Sequence, residues 1–526
     1  MKRLWLIAVL VFSTVTVGMS AQLYQQGKTY KITILHTNDH HGHFWKNRRG
    51  EYGLAAQKTL VDRIRKEVGR NGGFTLVLSA GDVNTGVPES DLQDAEPDFR
   101  GMSMIGYDAM ALGNHEFDNP LEVLKKQKEW AQFPFLAANV IRKSTGQPLF
   151  SPYAAYSFDG LRVAVFGLTT KDTPSLVTPT HVRSLRFDDP MKTARDLVPK
   201  LKGKAGLIIA LTHLGHYEQG NYGSNAPGDL SLSKAVPGID IIVGGHSHTR
   251  LMEPDTVNGT IVVQANAVGR YVGRLDIEFL DGVVSLQNYR LIPVNLKKKK
   301  KVDGKTVRVL IEEEIPEDPE LLAFLQTYQD KGADELDAVI GSADGDLIGQ
   351  RKIVRSRETN LGNLIARVQR LKVGADVGVM NSGGIRTSLA KGDITYKDVL
   401  KVQPFANSIG LVGLSGRELK QYLEVAANKS AGSGGFAQFD NVEIVMRGKK
   451  LESLKVGGLP VRDDKFYKLA INNFVATGGD KYMKVSDHST YVDTGYIDAD
   501  VLREYIQKNS PIRAAEFAPT NDVVRK

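Results

Sequence analysis

Cysteine is absent from the 526-residue chain. This absence excludes disulfide bonds and metal sites built from thiolate ligands. It also excludes a lipoprotein anchor, which is attached to a cysteine. A chain of this length can bury hydrophobic cores large enough to be stable without disulfides.

Long apolar segments are rare as well. The apolar segment 4–12 follows Lys2 and Arg3 and is too short to span a bilayer. Small residues near position 21 would permit cleavage, so residues 1–21 are predicted to be a signal peptide. No later segment approaches the roughly 18 apolar residues that a transmembrane helix needs. We therefore expect an exported protein without stable membrane insertion; retention of the N-terminal segment as an anchor is the alternative.

Acidic residues are too few to balance the basic ones. Lysine and arginine total 68 against 60 aspartates and glutamates, a formal net charge of +8, which removal of Lys2 and Arg3 would lower to +6. A basic balance suits anionic substrates. Nucleic-acid binding is not predicted, because no array of aromatic and basic residues is present. The length and the hydrophobic content of 41% predict two or more globular domains.

Polar residues that can bind metal ions follow five short apolar segments. In open α/β sheets, ligand-binding and catalytic residues lie at the carboxyl ends of the strands. Nine of the 11 histidines lie after four of these segments, which is not expected from chance placement. The segments, each predicted as a strand, and the residues that follow them are 30–35 with Asp39 and His41, 74–80 with Asp82, 107–112 with Asn114 and His115, 206–211 with His213, and 240–243 with His246 and His248.

These five blocks, in this order, resemble the calcineurin-like metallophosphoesterases and, within them, the 5'-nucleotidase family. The resemblance runs from about residue 28 to the C-terminus. It implies an α/β protein with an N-terminal four-layer α/β sandwich, the metallophosphoesterase domain, and a smaller C-terminal α/β 5'-nucleotidase domain. It also implies a periplasmic or secreted enzyme.

The resemblance further implies two divalent metal ions. Asp82 is suited to bridge them, because each carboxylate oxygen can serve one ion. A mixed nitrogen and oxygen donor set suits zinc, manganese, cobalt or iron better than magnesium, and we expect Zn, Mn or Co. The family relative carries glutamine where this chain has His248. The implied ligands are Asp39, His41, Asp82 and His248 for one ion, and Asp82, Asn114, His213 and His246 for the other.

Two neighbouring ions suit an in-line displacement in which hydroxide attacks phosphorus. His115 follows Asn114, and Asp118 lies three residues further on. The resemblance implies that His115 and Asp118 form a catalytic dyad that stabilises the transition state. The alternative is that His115 is another metal ligand.

The C-terminal half carries candidate substrate-binding residues. Guanidinium groups bind phosphate oxygens in pairs, and exposed loops rich in Gly, Pro and Asn surround two phenylalanines. The resemblance implies that these phenylalanines stack on the base, that an aspartate binds the ribose and that an asparagine contacts the base edge. The alternative is that both phenylalanines belong to the core. The candidates are Arg351, Arg355 and Arg386 for phosphate, and Phe405, Phe474, Asn407 and Asp480 for the nucleoside.

The predicted domains are residues 28–316 and 339–526, joined by a linker helix at 317–338. The family rotates its C-terminal domain about such a hinge. Residues 297–301 are five consecutive lysines. We expect them to form a solvated loop, and a polyanion contact is the alternative.

The predicted function is hydrolysis of nucleoside 5'-monophosphates, and of di- or triphosphates and UDP-sugars as further substrates, by a monomer that does not bind nucleic acid. One alternative is a 2',3'-cyclic-nucleotide 2'-phosphodiesterase with 3'-nucleotidase activity, which typically stacks the base on tyrosines. Another is a non-catalytic protein that binds nucleotides or polyanions.

Overall fold

The computed structural model describes residues 22–526 except 48, 178, 220–225 and 303–304. The predicted signal peptide, residues 1–21, lies outside the described residues. Among the helices of the described part, none is both long and apolar enough to cross a membrane.

The first half of the chain contains most of the strands. They are β1 (Tyr30–Thr37), β2 (Phe74–Ser79), β3 (Ala109–Ala111), β4 (Phe135–Leu136), β5 (Val140–Arg142), β6 (Tyr153–Phe158), β7 (Leu161–Thr169), β8 (Leu185–Phe187), β9 (Leu207–His213), β10 (Ile241–Gly244), β11 (Asp255–Val257), β12 (Thr260–Val263), β13 (Tyr271–Leu280), β14 (Val283–Pro293), β15 (Lys297–Val302) and β16 (Lys305–Leu310).

The helices of this half follow individual strands and cover the sheets. They are α1 (Leu54–Arg70), α2 (Pro88–Asp91), α3 (Glu96–Ile105), α4 (Leu121–Trp130), α5 (Pro179–Val182), α6 (Pro190–Lys202), α7 (Asp229–Ala235) and α8 (Pro319–Leu336).

Two six-stranded sheets form the centre of the N-terminal domain. Their strand orders are β14-β13-β1-β2-β3-β4 and β11-β12-β10-β9-β7-β6. Strand β1 is parallel to β2, and β9 is parallel to β10. One core lies between the sheets and includes Ile32, Ile34, Val165 and Ile209, all fully buried. Strands buried on both faces need apolar residues at successive positions, as β1 and β9 have.

Helices cover the outer face of each sheet. Leu60 of α1 and Phe99 of α3 pack in one outer core with Val77 of β2. Val198 of α6 packs in the other outer core with Ile208 of β9. The resulting α/β/β/α arrangement confirms the predicted four-layer sandwich.

The second half forms a smaller α/β domain. Its strands are β17 (Val339–Ala343), β18 (Val377–Asn381), β19 (Gly392–Thr395), β20 (Ser408–Ser415), β21 (Ala437–Asp440), β22 (Val442–Arg447), β23 (Lys450–Val456), β24 (Leu459–Pro460), β25 (Phe466–Asn472), β26 (Val492–Ile497) and β27 (Val523–Arg525). Its helices are α9 (Arg351–Val354), α10 (Asn360–Lys372), α11 (Tyr396–Val402), α12 (Gly416–Ala427), α13 (Asn473–Ala476) and α14 (Asp498–Asn509).

A five-stranded sheet, β21-β18-β25-β20-β26, organises this domain. On one side Leu364 of α10 and Leu502 of α14 form a core with Met380 of β18. On the other side Leu423 of α12 packs with Val379 and with the sheet that contains β22 and β23. This sheet and its helix layers confirm the predicted C-terminal α/β domain.

Helix α8 connects the two halves and packs on the first. Its N-terminus is capped by Asp318, whose Oδ1 accepts a hydrogen bond from the Leu321 backbone N–H at 2.9 Å. Leu321 and Leu325 are fully buried in the core that contains α1 and α3. Strand β17 then begins at Val339.

The expectation of a solvated loop at residues 297–301 is wrong. These lysines form strand β15, which pairs antiparallel with β16 in a separate two-stranded sheet. Their side chains still reach solvent, because Lys298 to Lys301 are all exposed. Lys298 and Lys300 lie opposite Val309 and Val307 of β16. The alternating pattern that is typical of a strand is therefore visible in β16 and not in the run of lysines.

Candidate active site

The loops that follow β1, β2, β9 and β10 meet at one edge of the two sheets. The backbone N–H groups of Asp39 and His41 donate to the carbonyls of Gly81 and Asp82 at 2.8 and 3.0 Å. The loops after β1 and β2 are therefore hydrogen-bonded to each other beyond the ends of these two strands. His213 is the last residue of β9 and is fully buried.

Three groups of side chains at this edge could hold metal ions. Ligand atoms lie within 4.8 Å of one another in each group, and the groups share members, which fits two adjacent ions. The groups are Asp39, His41 and His248; Asp82, His213 and His246; and His41, Asp82 and His115.

Asp82 and Asp39 are both close to His213, so the first two groups are continuous. Asp82 Oδ2 lies 2.9 Å from His213 Nε2, and Asp39 Oδ1 lies 3.9 Å from the same atom. Asp39 Oδ1 is also 3.3 Å from His248 Nε2. Asp82 thus lies between the two proposed ligand sets, where a bridging carboxylate would have to lie.

Asn114 supports the fit of a metal ion at this place. Its side-chain Oδ1 is buried and has no hydrogen-bond partner among the described residues. A buried amide oxygen without a partner is costly, and a divalent cation would satisfy it. The nitrogen and oxygen donor set suits transition metals.

Hydrogen bonds to backbone carbonyls orient two of the imidazoles. His41 Nδ1 donates to the Thr85 carbonyl at 2.9 Å, and His213 Nδ1 donates to the Ala80 carbonyl at 2.7 Å. In both rings Nε2 is left to face the ligand cluster, a common arrangement for metal-binding histidines. Burial lowers the pKa of His41 and of His246 to about 3, so both rings are neutral, as metal binding requires. Burial alone would also lower the pKa of His213, but the carboxylates of Asp82 and Asp39 raise it to about 10, so a metal ion would have to displace the proton of this ring.

Close approach of the loops depends on glycines. A Cβ on Gly113 would lie 2.0 Å from Asp82 Oδ1, and a Cβ on Gly245 would lie 2.9 Å from His213 Nδ1. Any side chain at these positions would displace a ligand candidate.

Sequence reasoning missed Glu116. Its buried carboxylate accepts hydrogen bonds from the backbone N–H groups of Asp82, Val83, Asn84 and Gly113, at 3.0, 2.7, 3.3 and 2.6 Å. These four donors belong to the two loops that carry Asp82 and Asn114. Burial, and then the charge of Asp82, raise the pKa of Glu116 to about 7. Its position in a Gly-Asn-His-Glu sequence was the available signal.

His115 and Asp118 lie beside the ligand groups. Nδ1 of His115 is 2.5 Å from Asp118 Oδ2, and Nε2 is 4.0 Å from Asp82 Oδ2. Asp118 Oδ2 also accepts a hydrogen bond from Thr85 Oγ1 at 2.7 Å. Burial alone would lower the pKa of His115, but the carboxylates of Asp118 and Asp82 raise it to about 9. The two carboxylates therefore favour the imidazolium form of the ring.

Two histidines that were not proposed as ligands pair with carboxylates. His40 Nε2 lies 3.0 Å from the buried carboxylate of Asp98. His216 Nε2 lies 2.7 Å from Asp255.

The C-terminal domain meets this site through Phe405. Its ring is stacked on the ring of His115, with 6.2 Å between centroids and 14° between planes. The Arg386 guanidinium lies 5.3 Å from the Phe405 centroid. One candidate phosphate-binding residue and one candidate base-stacking residue therefore adjoin the metal ligands.

The three arginines form a concentrated positive charge. Burial, and then the charges of Arg351 and Arg386, lower the pKa of Arg355 to about 10. Burial and Arg351 also lower the pKa of Arg386. Nε of Arg355 is buried without a hydrogen-bond partner among the described residues. Mutually repelling guanidinium groups with unused donors are suited to an anion.

Asp480 and Phe474 are held by contacts within the C-terminal domain. Asp480 Oδ2 accepts a hydrogen bond from Asn381 Nδ2 at 2.8 Å, and burial raises the pKa of this carboxyl. The Phe474 ring packs closely on Gly479, where a Cβ would lie 2.6 Å from Cζ of the ring. Asn407 is buried, and its backbone carbonyl accepts a hydrogen bond from the Asp498 N–H at 2.8 Å.

A glycine-containing segment at 432–435 completes this side of the site and was not predicted. The Gly383 N–H donates to the Gly434 carbonyl at 2.7 Å. A Cβ on Gly434 would lie 3.3 Å from Asp480 Oδ1. The run of small residues from Ser430 to Gly435 was the signal that could have identified it.

Two family models match the chain. The calcineurin-like phosphoesterase model matches residues 32–250, and the model of the 5'-nucleotidase C-terminal domain matches residues 339–487. The fold and the site thus define a metal-dependent hydrolase of the metallophosphoesterase class.

Similar proteins extend over nearly the whole chain. A 5'-nucleotidase of Vibrio cholerae is 50% identical, over 96% of this chain and 95% of its own length. Protein UshA of Escherichia coli K12 is 49% identical, over 98% of each chain. The crystal structure of a 5'-nucleotidase precursor from Thermus thermophilus has a TM-score of 0.72 and 31% identity, over 91% of this chain and 96% of that one. The chain belongs to the 5'-nucleotidase family, which confirms the resemblance found in its sequence.

Proposed function

We propose that this protein is an exported enzyme that removes phosphate from nucleoside 5'-monophosphates, with nucleoside di- and triphosphates and UDP-sugars as further substrates. The observation that carries the proposal is the contact between the two candidate site halves. Phe405, next to Arg386, stacks on His115, which borders the metal-ligand cluster. A nucleotide held by the second domain would therefore present its phosphate to the first. The relatives named 5'-nucleotidase support this substrate class.

Two divalent ions, with Zn, Mn or Co as candidates, would be held by the seven predicted ligands. When bound, they would supply positive charge for the phosphoryl oxygens and activate water for attack on phosphorus. Asp82 would join the two ligand sets. The buried Oδ1 of Asn114, which otherwise has no partner in the described part of the chain, would complete the second set.

The other candidate residues would bind and orient the substrate. Arg351, Arg355 and Arg386 would pair with phosphate oxygens, because their guanidinium groups supply more donors than the described residues use. Phe405 and Phe474 would stack on the base. Asp480 would accept hydrogen bonds from the ribose, and Asn407 would contact the base edge. His115, kept protonated by Asp118, would donate to a phosphoryl oxygen in the transition state.

The two domains would have different roles. Residues 28–316 would carry the metals and residues 339–526 the nucleotide, with the linker 317–338 between them. Helix α8 packs on the first domain through Leu321 and Leu325, so a hinge would lie towards its C-terminal end.

A substrate panel tests the proposal. Purified protein is assayed for phosphate release from AMP, 3'-AMP, 2',3'-cyclic AMP and UDP-glucose, with zinc, manganese, cobalt or magnesium. We expect AMP to be hydrolysed fastest and Asp82→Asn to lose most of this activity without unfolding, since Asp82 supplies charge to the ions rather than core packing.

Three results would contradict the proposal. Preferred hydrolysis of the cyclic or 3'-nucleotide would favour the phosphodiesterase alternative. Stoichiometric binding of AMP without phosphate release would favour a binding protein. AMP hydrolysis by Asp82→Asn at the parent rate in saturating manganese would remove the dimetal assignment.

A further inference from the structure

The hairpin of β15 and β16 is a separate structural feature of the N-terminal domain. It pairs with no other strand among the described residues. Its base is fixed by the Ile311 N–H, which donates to the Leu296 carbonyl at 2.8 Å, and by the Lys297 N–H, which donates to Glu51 Oε1 at 3.0 Å. Six residues per strand give the hairpin a length of about 20 Å.

The pairing register gives the hairpin two different faces. Residues directly opposite each other share a face. Lys299 lies opposite Arg308 on one face. On the other face Lys298 lies opposite Val309, and Lys300 lies opposite Val307. The first face also carries Lys297 and Lys301, opposite Leu310 and Thr306. It is therefore the more strongly cationic face, and the other combines cations with valines.

The four lysines Lys298 to Lys301 are not neutralised within the described part of the chain. Segment 297–310 contains six lysines and one arginine against one acid, Asp303. None of Lys298 to Lys301 forms an ion pair with a residue that the structure describes, and like charges directly opposite in a sheet repel. The nearest acidic run, Glu312 to Glu314, lies beyond the base, and Glu312 is paired with Arg290 at 2.7 Å. Exposed lysines on a separate hairpin that have no acidic partner among the described residues are suited to an external anion.

We propose that this hairpin is a docking surface for a lipid bilayer rich in anionic phospholipid. Lysines close to such a bilayer are attracted by its negative surface potential. Val307, which is 38% exposed, and the aliphatic stems of the lysines can enter the boundary between head groups and acyl chains. A single-stranded nucleic acid fits less well, because segment 297–310 contains no aromatic residue for base stacking. The proposal does not depend on the proposed substrate.

Vesicle sedimentation tests the proposal with the chain from residue 22 onward, so that the apolar segment 4–12 cannot itself bind lipid. Vesicles of phosphatidylcholine alone are compared with vesicles that also contain phosphatidylglycerol, at low and at high salt. The parent should bind only the anionic vesicles and should be released by salt. Replacing Lys298, Lys299, Lys300 and Lys301 by glutamine should lower the partition coefficient at least about tenfold.

Two further variants separate local charge from net charge. Lys125→Gln, Lys192→Gln, Lys455→Gln and Lys484→Gln together remove the same charge from exposed lysines elsewhere, and this variant should bind like the parent. Arginine at all four hairpin positions should preserve binding. A cooperative thermal unfolding transition should show that every variant is folded.

Three outcomes would overturn the proposal. They are an equal loss of binding in the scattered control, equal binding to neutral vesicles, and binding to a single-stranded oligonucleotide but not to anionic vesicles.

Discussion

Five of the seven proposed metal ligands have a positive φ, a conformation that residues other than glycine seldom adopt. They are Asp39, His41, Asp82, His246 and His248, with φ of 53°, 52°, 54°, 78° and 55°. Each such residue costs on the order of 1–3 kcal/mol and persists only where its surroundings impose it. At these positions the imposed backbone turns the side chains of separate loops towards one point.

His115 should contribute to the rate rather than to metal retention. Its pKa of about 9 and its contact with Asp118 favour the imidazolium, which can stabilise charge that develops in the transition state. His115→Ala should lower kcat for AMP roughly a hundredfold to ten-thousandfold, with about two metal ions per chain retained. Steady-state kinetics and elemental analysis measure the two quantities.

Asp118→Asn is the matched control for this prediction, because it keeps the imidazole and removes the charge that raises its pKa. It should lower kcat less than His115→Ala does, again at full metal content. Loss of one metal equivalent in His115→Ala would make His115 a ligand and would contradict the proposed dyad.

At the scale of elements, short helices of the two domains are joined by one largely buried ion pair. Lys397 of α11 pairs with Glu89 of α2, and Gln329 of α8 lies 3.4 Å from the same carboxylate. Burial acts to raise the pKa of Glu89, but the hydrogen bond and charge of Lys397 hold it below its ordinary value of 4.5. Since the folded pKa is lowered, the stabilisation is present above that ordinary value and is lost as the pH falls below it.

Removing Lys397 should weaken the contact between the domains. Lys397→Met leaves the Glu89 carboxylate buried without its cation, which costs on the order of 1–3 kcal/mol. Small-angle X-ray scattering at neutral pH should give a larger radius of gyration for this variant than for the parent, and acidification should reduce the difference.

Lys401→Met provides the control on the same helix, because Lys401 pairs with Asp398 within α11. Its radius of gyration should equal that of the parent. Identical scattering from parent and Lys397→Met at every pH would exclude a role for the pair in domain contact.

Some of these elements could be predicted from sequence and others could not. The strands before Asp39 and Asp82 were predictable, because a short apolar run followed directly by polar residues is a local pattern. The hairpin at Lys297–Val302 was not, since lysine is disfavoured in strands and the pairing depends on the residues opposite. The role of Glu116 was also hidden, because its partners are backbone N–H groups brought close only when two loops fold together.

At the scale of the whole molecule, the two domains bring together residues that are distant in the chain. His115 and Phe405 are 290 positions apart, yet their rings are stacked. Family resemblance implied which residues belong to the site, whereas the contact between the domains required the folded structure. The central claim is that the first domain carries out phosphate-ester hydrolysis and the second selects nucleotides.

The most direct test compares AMP with an activated aryl phosphate in Phe405→Ala combined with Phe474→Ala. Stacking contributes roughly 1–3 kcal/mol per base, so kcat/KM for AMP should fall by about five- to 150-fold per lost stack. Hydrolysis of the aryl ester, which has no nucleoside, should change little. Phe466→Ala, which alters an exposed phenylalanine of the same domain, should affect neither substrate. An equal fall for AMP and the aryl ester in the double variant would mean that the two phenylalanines only support the fold, and would contradict nucleotide selection by the second domain.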